Sequence, residues 1–437
     1  MLNQERAGMF DAQIRKKVTD TVMSGSTGAP IQTEAADVAP AAAGAPFAAT
    51  IERLTLTDFR CYDSARIETG GRTVVLTGPN GAGKTNVLEA VSLLTPGRGL
   101  RRSNLSDVAR QDTGQNLNQH GRDASPSRAW AVAARVATPT GVADIGTGLT
   151  EPGAEKRTVR IDGENARNQA ALSEYLDAQW LTPQMDRLFI DGRSARRHFL
   201  DRLVYGYDPA HSGRISAYEH AMRERARLLR DGGADTAWLS ALEDTMATKG
   251  VAVAAARSEL VDRLGRFCRA PHGPFPAAEL TIDGDVERWL EAGPALEAED
   301  KLRSALTASR VQDGAVGGAQ VGPHRSDLHV RHLDNGQAAE LCSTGEQKAL
   351  LISIVLADAR MAAAERGRVP VLLLDEVAAH LDQQRREALF AELLAIGAQV
   401  WLTGTDRSLF EPLVGEALFF TVAVGTVTPE LEMVGRT

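Results

Sequence analysis

The chain has 437 residues, enough for two or three units that each bury a core. It is 43% hydrophobic and 24% charged with a formal net charge of −8, an ordinary globular composition that excludes a basic field over the whole surface, so any nucleic-acid contact must come from a local patch. No run has the length of a transmembrane helix, no signal-peptide pattern opens the chain, and Cys61, Cys268 and Cys342 are too far apart for metal-ligand spacing, so the expected location is the cytoplasm, with free thiols and no membrane.

Residues 1–47 differ from the rest. Ser24 to Ala49 is rich in Ala, Gly, Ser, Thr and Pro, so residues 1–47 read as a disordered leader, with Met9 and Met23 as alternative starts. From Thr50 the pattern alternates: Ile51–Leu56 and Ala65–Glu68 read as two strands about a turn at Tyr62-Asp63-Ser64. Val74–Thr77 suits a buried strand. It runs into Gly78-Pro79-Asn80-Gly81-Ala82-Gly83-Lys84-Thr85 and then a helical pattern with Val87, Leu88, Val91 and Leu94 on one side, ending at Thr95-Pro96-Gly97. Strand, G-x-x-x-x-G-K-T, helix is the context of a phosphate-binding loop. Its glycines let backbone N–H groups converge on phosphate oxygens, and the new helix offers its N-terminus to the same charge. Lys84 would reach the β- and γ-phosphates of ATP, and Thr85 would place a hydroxyl on Mg²⁺.

Residues 111–128 are polar and read as a loop. Ala129–Ala137, Ala143–Leu149 and Lys156–Ile161 have the spacing of an antiparallel meander, and Gln179–Leu181 reads as a further strand. From Ser194 to about Arg269 the pattern is helical and is split into antiparallel arms by Gly232-Gly233; without a sustained heptad it is a compact lobe, stopped by Pro271 to Pro276. Residues 301–312 read as helix, Val321–Val330 as an alternating segment and Gln347–Ala364 as a strongly apolar helix. Val369 to Leu374 is a buried parallel strand that delivers Asp375 and Glu376 at its C-terminal end; Gln383–Leu394 is helical and Gln399–Leu402 is a short core strand.

Asp375 is placed to hold Mg²⁺, and Glu376 to polarise a water for attack on the γ-phosphate. About two-thirds of the chain separates Lys84 from Asp375, so a large insertion lies between them. The apolar helix opens with Ser343-Thr344-Gly345-Glu346-Gln347. Ser343 as N-cap and Glu346 three residues on form a capping box, a local role that needs no ligand. The cap does not explain Gly345. A Ser and a Gly at a helix N-terminus make a second anion site, and one chain has one γ-phosphate, so the second site points to a phosphate presented by another subunit.

The order of phosphate loop, helical insertion, S-T-G-E-Q, L-L-L-D-E and H-L-D resembles the ABC-type ATPase heads of the SMC family, and within that class the RecF family of bacterial recombination mediators. The supporting stretches are L-T-L-T-D-F-R-C-Y (54–62), G-P-N-G-A-G-K-T-N-V-L-E-A (78–90), G-R-G-L-R (97–101), R-R-H-F-L-D-R (196–202), G-P-H-R-S-D-L (322–328), S-T-G-E-Q-K-A-L-L (343–351) and T-G-T-D (403–406), which span the chain from about residue 50 to its end. The resemblance implies an α/β fold: an ABC-type P-loop ATPase head with a mixed sheet, an antiparallel β subdomain and an inserted helical arm lobe. The head would comprise residues 48–192 and 313–437, and the lobe residues 193–312.

The resemblance also implies roles. Gly78, Pro79, Asn80, Gly81, Ala82, Gly83, Lys84 and Thr85 would hold ATP, with Arg60 approaching the phosphates. Thr85 and Asp375 would hold Mg²⁺, and Glu376 would be the catalytic base. Ser343, Gly345, Glu346 and Gln347 would meet the nucleotide of a second protomer, with Asp382 beside Ser343 and Gly345 at the dimer interface. Many ABC ATPases carry a His after the last core strand; here Thr405 or Asp406 stands there, which implies slow hydrolysis. Gln111 and Gln184 are both candidates for the glutamine that links the lobes. For DNA the basic candidates are Arg193, Arg196, Arg197, His198 and Arg202, then Arg223, Arg225, Arg227 and Arg230. On charge alone these read as a solvated face balanced by Asp201, Glu219 and Glu224; the resemblance is what points to DNA.

The function implied is that of an ATP-binding, slowly hydrolysing DNA-binding protein of recombinational repair and replication maintenance. It would be a weak DNA-dependent ATPase acting as a switch. ATP would drive homodimerisation on single-stranded, gapped or junction DNA and, with recombination mediator proteins as partners, support recombinase loading and the SOS response. Two alternatives share the motifs. One is the ATPase subunit of a membrane transporter, against which stand the helical lobe and the F-R-C-Y opening; the other is a non-hydrolysing ATP-binding scaffold, which would not need Glu376.

Overall fold

The computed structural model describes residues 47–110, 129–151, 154, 156–232, 235–270 and 273–430. The expected leader up to residue 46, the loop 111–128 with Gln111, Gly233 and Pro271 lie outside these residues.

Two six-stranded sheets enclose the helix that follows the phosphate loop. The first is antiparallel throughout: β2 (Thr50–Phe59) and β3 (Tyr62–Glu68) form a hairpin, and β5 (Trp130–Thr138), β6 (Gly141–Leu149), β7 (Thr158–Ile161) and β8 (Glu164–Asn165) continue it in the order β3-β2-β5-β6-β7-β8. The second runs β16-β15-β4-β14-β13-β9, from β4 (Thr73–Thr77), β9 (Ala178–Leu181), β13 (Val371–Leu374), β14 (Val400–Gly404), β15 (Ala417–Ala423) and β16 (Thr426–Pro429). It is parallel except for the β15–β16 hairpin. Short β1 (Phe47–Ala48) pairs with β12 (Arg368–Val369).

Period-two alternation sends the parallel strands' side chains to two different cores. Val74, Leu76, Val371, Leu373 and Trp401 pack with the antiparallel sheet and with Val87, Leu88 and Val91 of α1 (Lys84–Leu93). Val75, Leu372, Leu374 and Leu402 pack on the opposite face with α9 (Thr344–Arg366) and α10 (Gln383–Ile396). The helix carrying Lys84 and the helix capped by Ser343 therefore lie on opposite faces of one sheet.

The hairpin turn differs from the sequence expectation. β2 and β3 are joined at Arg60-Cys61, not at Tyr62-Asp63-Ser64, because Tyr62 is fully buried and its hydroxyl donates to the Gly83 carbonyl at 3.1 Å. The tight turn holds Asp58 and Arg60 at positive φ, 46° and 54°.

After the short α2 (Leu105–Val108), the helical segment comprises α3 (Arg193–Tyr207), α4 (His211–Asp231), α5 (Thr236–Cys268), α6 (Asp285–Ala292), α7 (Ala295–Ala308) and α8 (Arg310–Val316), with β10 (Ala278–Asp283) paired antiparallel to β11 (Asp327–His332). Tyr218, Met246, Val251, Leu302 and Leu306 form its own core. Beside that core Arg225 is buried, with Nε 2.9 Å from Glu243 and a terminal nitrogen 2.8 Å from Asp313. Arg225 is thus removed from the DNA candidates: its charge is spent on two buried acids, which would be left uncompensated without it.

The α9 helix is buried on nearly all sides, and it carries Asp358 into the interior, where the Tyr207 hydroxyl donates to it at 3.2 Å. Burial first, and the nearby Asp177 second, push the Asp358 carboxyl up to about 7. The folded chain therefore keeps a proton that the unfolded chain releases from about pH 4 upward, and this residue lowers stability as pH rises from about 4 to 7. Asp358→Asn removes the titration. Relative to the native chain, the variant should gain up to about 4 kcal/mol between pH 4 and pH 8, at 1.36 kcal/mol per unit, read from urea midpoints at both values. An equal difference at the two pH values would show that Asp358 is not held as a neutral acid.

Candidate functional site

Three parallel strands end at one place. β4 runs into the phosphate loop, β13 into Asp375 and Glu376, and β14, which lies between them, into Thr403-Gly404. At Gly78, with φ 147°, a Cβ would collide with the Val422 carbonyl of the neighbouring strand. At Gly83, with φ 116°, it would lie 2.7 Å from Cys61 Sγ and 2.8 Å from the Tyr62 hydroxyl, so the β2–β3 turn packs directly under the loop. Gly81 also has positive φ, 79°, but open space around it; Pro79, Asn80 and Gly81 form the exposed crown, while Ala82 and Gly83 are buried.

Lys84 opens α1 and is 4% exposed. Its ammonium donates to the Gly78 and Pro79 carbonyls at 2.7 and 3.1 Å and lies 3.9 Å from a Glu376 oxygen. Burial lowers its pKa below the ordinary lysine value, partly offset by Glu376 and Asp375. The Thr85 hydroxyl stands 3.0 Å from both carboxylate oxygens of Asp375. Burial raises the Asp375 pKa, opposed by hydrogen bonds from Thr403 and Thr85. Glu376 is held in the left-handed region at φ 52° and is partly exposed, a strained conformation of the kind that clusters at working sites.

Thr403 is the residue that sequence reasoning missed. Its hydroxyl donates to Asp375 at 2.7 Å and accepts the Glu376 N–H at 2.9 Å, so one side chain positions both acids. Thr405 and Asp406, expected in that region, are exposed, and Asp406 accepts the Ser408 N–H to cap the following turn. The visible signal was T-G-T-D directly after a core strand; which threonine faces Asp375 depends on the β13–β14 register, in which Leu374 pairs with Leu402.

A hydroxyl and one carboxylate suit Mg²⁺, which takes one or two protein oxygens and leaves the remaining positions to phosphate and water. Among the described residues no group of three or more His, Cys, Asp or Glu could form an all-protein cage. The Lys84 ammonium rests on loop carbonyls, and the Gly81 crown is open, as a phosphate cradle requires.

Arg60 is placed differently from its expected role. Its guanidinium grips buried Glu89 of α1 in a bidentate pair at 2.8 and 2.6 Å and donates to the Asp107 carbonyl and to Ser103. Arg101 reaches the same carboxylate at 3.0 Å and Asn86 at 2.6 Å. Arg60 would have to leave Glu89 to meet a phosphate.

At the start of α9 the capping box is formed: Ser343 and Glu346 bond each other's backbone N–H, and Ser343 also holds the Glu346 carboxylate, which keeps its pKa low. Ser343 and Gly345 are exposed, and a Cβ on Gly345 would meet nothing within 4 Å. Neither is bonded to the cluster of Lys84, Thr85, Asp375 and Glu376. Gln347 corrects the expectation that it meets a nucleotide: it is buried, and its amide nitrogen donates to the Cys342 carbonyl at 2.9 Å. Asp382 caps α10 by accepting the Arg385 N–H and is otherwise exposed.

Gln184 follows β9, whose Leu181 carbonyl accepts the Asp375 N–H at 2.9 Å, so its segment runs beside the strand that delivers Asp375. Two residues on, Asp186 pairs with Lys348 of α9 at 3.3 Å. Of the expected DNA contacts, Arg193 is exposed and near Asp327; Arg196 is bound to Asp327 in a bidentate pair at 2.7 and 2.9 Å and to two carbonyls; and Arg197 donates to the Ser326 carbonyl. Arg196 is a structural clamp between α3 and β11.

The family model described as the RecF/RecN/SMC N-terminal domain matches residues 50–413. The DNA replication and repair protein RecF of Mesorhizobium japonicum is 50% identical over 382 residues, 87% of this chain and 97% of that one. The chain belongs to the RecF branch of this family. The RecF of Caulobacter vibrioides is 48% identical over 383 residues, 85% of this chain and 95% of that one. Among solved structures, the recombination mediator protein RecF with ATPrS in the RecFOR pathway superposes with a TM-score of 0.76 at 22% identity over 89% of this chain and 100% of that one, and RecF with ATP with a TM-score of 0.75. At that identity the likeness is one of fold, the α/β ATPase head of RecF. No helix among the described residues of this RecF-family chain is long and apolar enough to cross a membrane.

Proposed function

We propose that this chain binds ATP with Mg²⁺ as half of a two-chain switch on DNA, hydrolyses it slowly, and serves recombinational repair and replication maintenance. One observation carries the reading. Lys84, Thr85, Asp375 and Glu376 converge on a single spot, whereas Ser343 and Gly345 lie exposed at a helix N-terminus with no bond to that spot. Half a site thus faces its own nucleotide and the other half faces outward, which suits two chains face to face.

The loop N–H groups and Lys84 would take the phosphates, and Thr85 and Asp375 would hold Mg²⁺, which would supply neutralisation of phosphate charge. Glu376, with its backbone N–H fixed on Thr403, is oriented to accept a proton from the attacking water. Ser343 and the N–H of Gly345 offer donors to the γ-phosphate of the partner chain. The DNA role, mediator partners, recombinase loading and the SOS response are supported by the resemblance and by relatives that are DNA replication and repair proteins; those relatives also weigh against the transporter alternative.

Sedimentation of the full chain tests the switch. The expected result is a monomer without nucleotide, a dimer with ATP and Mg²⁺, and a heavier complex on addition of gapped DNA. A chain that stays monomeric under all three conditions would sink the shared-site reading.

A further inference from the structure

The residues expected to meet DNA at 196 and 197 are tied to Asp327 and Ser326, but Arg202 of the same helix lines a different cleft that gathers arginines from several elements. A cleft of about 790 Å³ opens between the 95–102 loop, β9 with its following turn, and α3 and α4. Its acids are all taken: Asp177 by Arg366, Asp191 by Arg187, Asp201 by Arg257 and His211, and Glu219 by Arg223.

Four of its arginines have no carboxylate partner among the described residues. Arg98 makes one long bond, 3.5 Å, to Asn104, and the Arg102 side chain is bonded to none of the described residues. Arg202 donates to the Trp180 carbonyl and to Met185 Sδ, lies 4.5 Å over the Trp180 ring and keeps a buried Nε without a partner. Among the described residues Arg368 meets the Ser173 and Glu174 carbonyls and keeps two buried nitrogens unbonded. Arg102 is also held at φ 55°, a left-handed conformation uncommon for a residue other than glycine. Half-buried Trp180 and Tyr205 line the same walls; the Tyr207 ring is already stacked on Arg263 and Arg366. Unpaired guanidinium groups along a groove whose walls present aromatic rings are the chemistry that holds a single nucleic-acid strand, with charge on the backbone and rings for the bases. A duplex would keep its bases stacked inside and present nothing to those rings.

We propose that this cleft seats a single strand of DNA, with Arg98 and Arg102 on its phosphates and Trp180 and Tyr205 against its bases. The proposal rests on the DNA reading above and gives it an address. It also connects the strand to the nucleotide site, because Thr182, Gln184 and Met185 form part of the cleft. That segment is bonded to Asp375 through Leu181 and to α9 through Asp186 and Lys348.

The test compares the full-length chain with an Arg98→Glu, Arg102→Glu double variant; both positions are exposed and lie outside the ATP cluster. Affinity is measured for an oligo-dT strand and for a duplex of equal length, over a range of salt. The expected result is at least a tenfold loss of oligo-dT affinity and a salt slope shallower by about 1.4, since each lost single-strand phosphate contact removes about 0.7. Duplex and ATP affinities should hold, and an iododeoxyuridine strand should crosslink to the native chain at the peptides bearing Trp180 or Tyr205. Unchanged oligo-dT affinity, or crosslinks confined to other peptides, would overturn the cleft while leaving DNA binding intact. Equal losses for strand and duplex would overturn the single-strand assignment. A native chain that binds neither DNA would remove the DNA reading itself, and the cleft proposal with it.

Discussion

Lys84→Ala should weaken ATP binding at least 100-fold, measured by titration calorimetry at pH 7.5 on protein whose circular dichroism is unchanged. A charge-assisted hydrogen bond is worth about 1.5–3 kcal/mol, which alone is roughly 10- to 150-fold. Position adds to that. Lys84 is nearly inaccessible, and it stands between the loop carbonyls and the acids Asp375 and Glu376. Truncation would leave those two carboxylates facing an incoming polyphosphate with no intervening cation, so repulsion joins the lost bond. Lys84→Arg should rescue poorly, because a planar fork does not fit where a compact ammonium reaches two carbonyls about 3 Å away. ATP affinity within threefold of the native chain would mean that the loop is not the ATP site.

The second large effect is expected at Glu376. Glu376→Gln should lower ATP turnover by about 10²- to 10³-fold, within the range that a general base contributes, while ATP binding persists. The substitution keeps the shape of the side chain and the Thr403-bound backbone N–H, so the site stays assembled but lacks a proton acceptor. The ATP-bound dimer should then outlive that of the native chain, which is measurable as slowed dissociation after dilution in gel filtration. If turnover and dimer lifetime both match the native chain, Glu376 is not the base and the hydrolytic switch is wrong. The strained φ of Glu376 bears on the same experiment: a residue held at 52° by its surroundings is fixed before substrate arrives.

Much of the site was legible because its parts are written locally. A phosphate loop is eight consecutive residues whose glycines, lysine and threonine act through their own backbone turn and the helix they begin. The Ser343–Glu346 capping box closes within four residues. A buried strand that ends in two acids is a run of apolar side chains followed by charge. The antiparallel meander was readable from short alternating runs between turn residues, and the observed strands β5, β6 and β7 follow it. The hairpin turn was misplaced because Tyr62 looks like a turn residue until Gly83 is known to lie above it.

What the residue order could not say is where each long side chain ends. Arg196 finds Asp327, Arg225 finds Glu243 and Asp313, and Arg60 finds Glu89 across separations of 131, 18, 88 and 29 residues. A basic run on a helix is the same string whether its guanidinium groups face solvent, a partner acid or a cleft, and the choice depends on which strands and helices pack together. Thr403 shows the same limit within the site, since its hydroxyl reaches Asp375 only through the pairing of β13 with β14. Local spacing thus names which groups are candidates to hold a phosphate. The course of the chain settles which charges remain unneutralised, because ion pairing over many residues is decided by packing and not by neighbours in sequence.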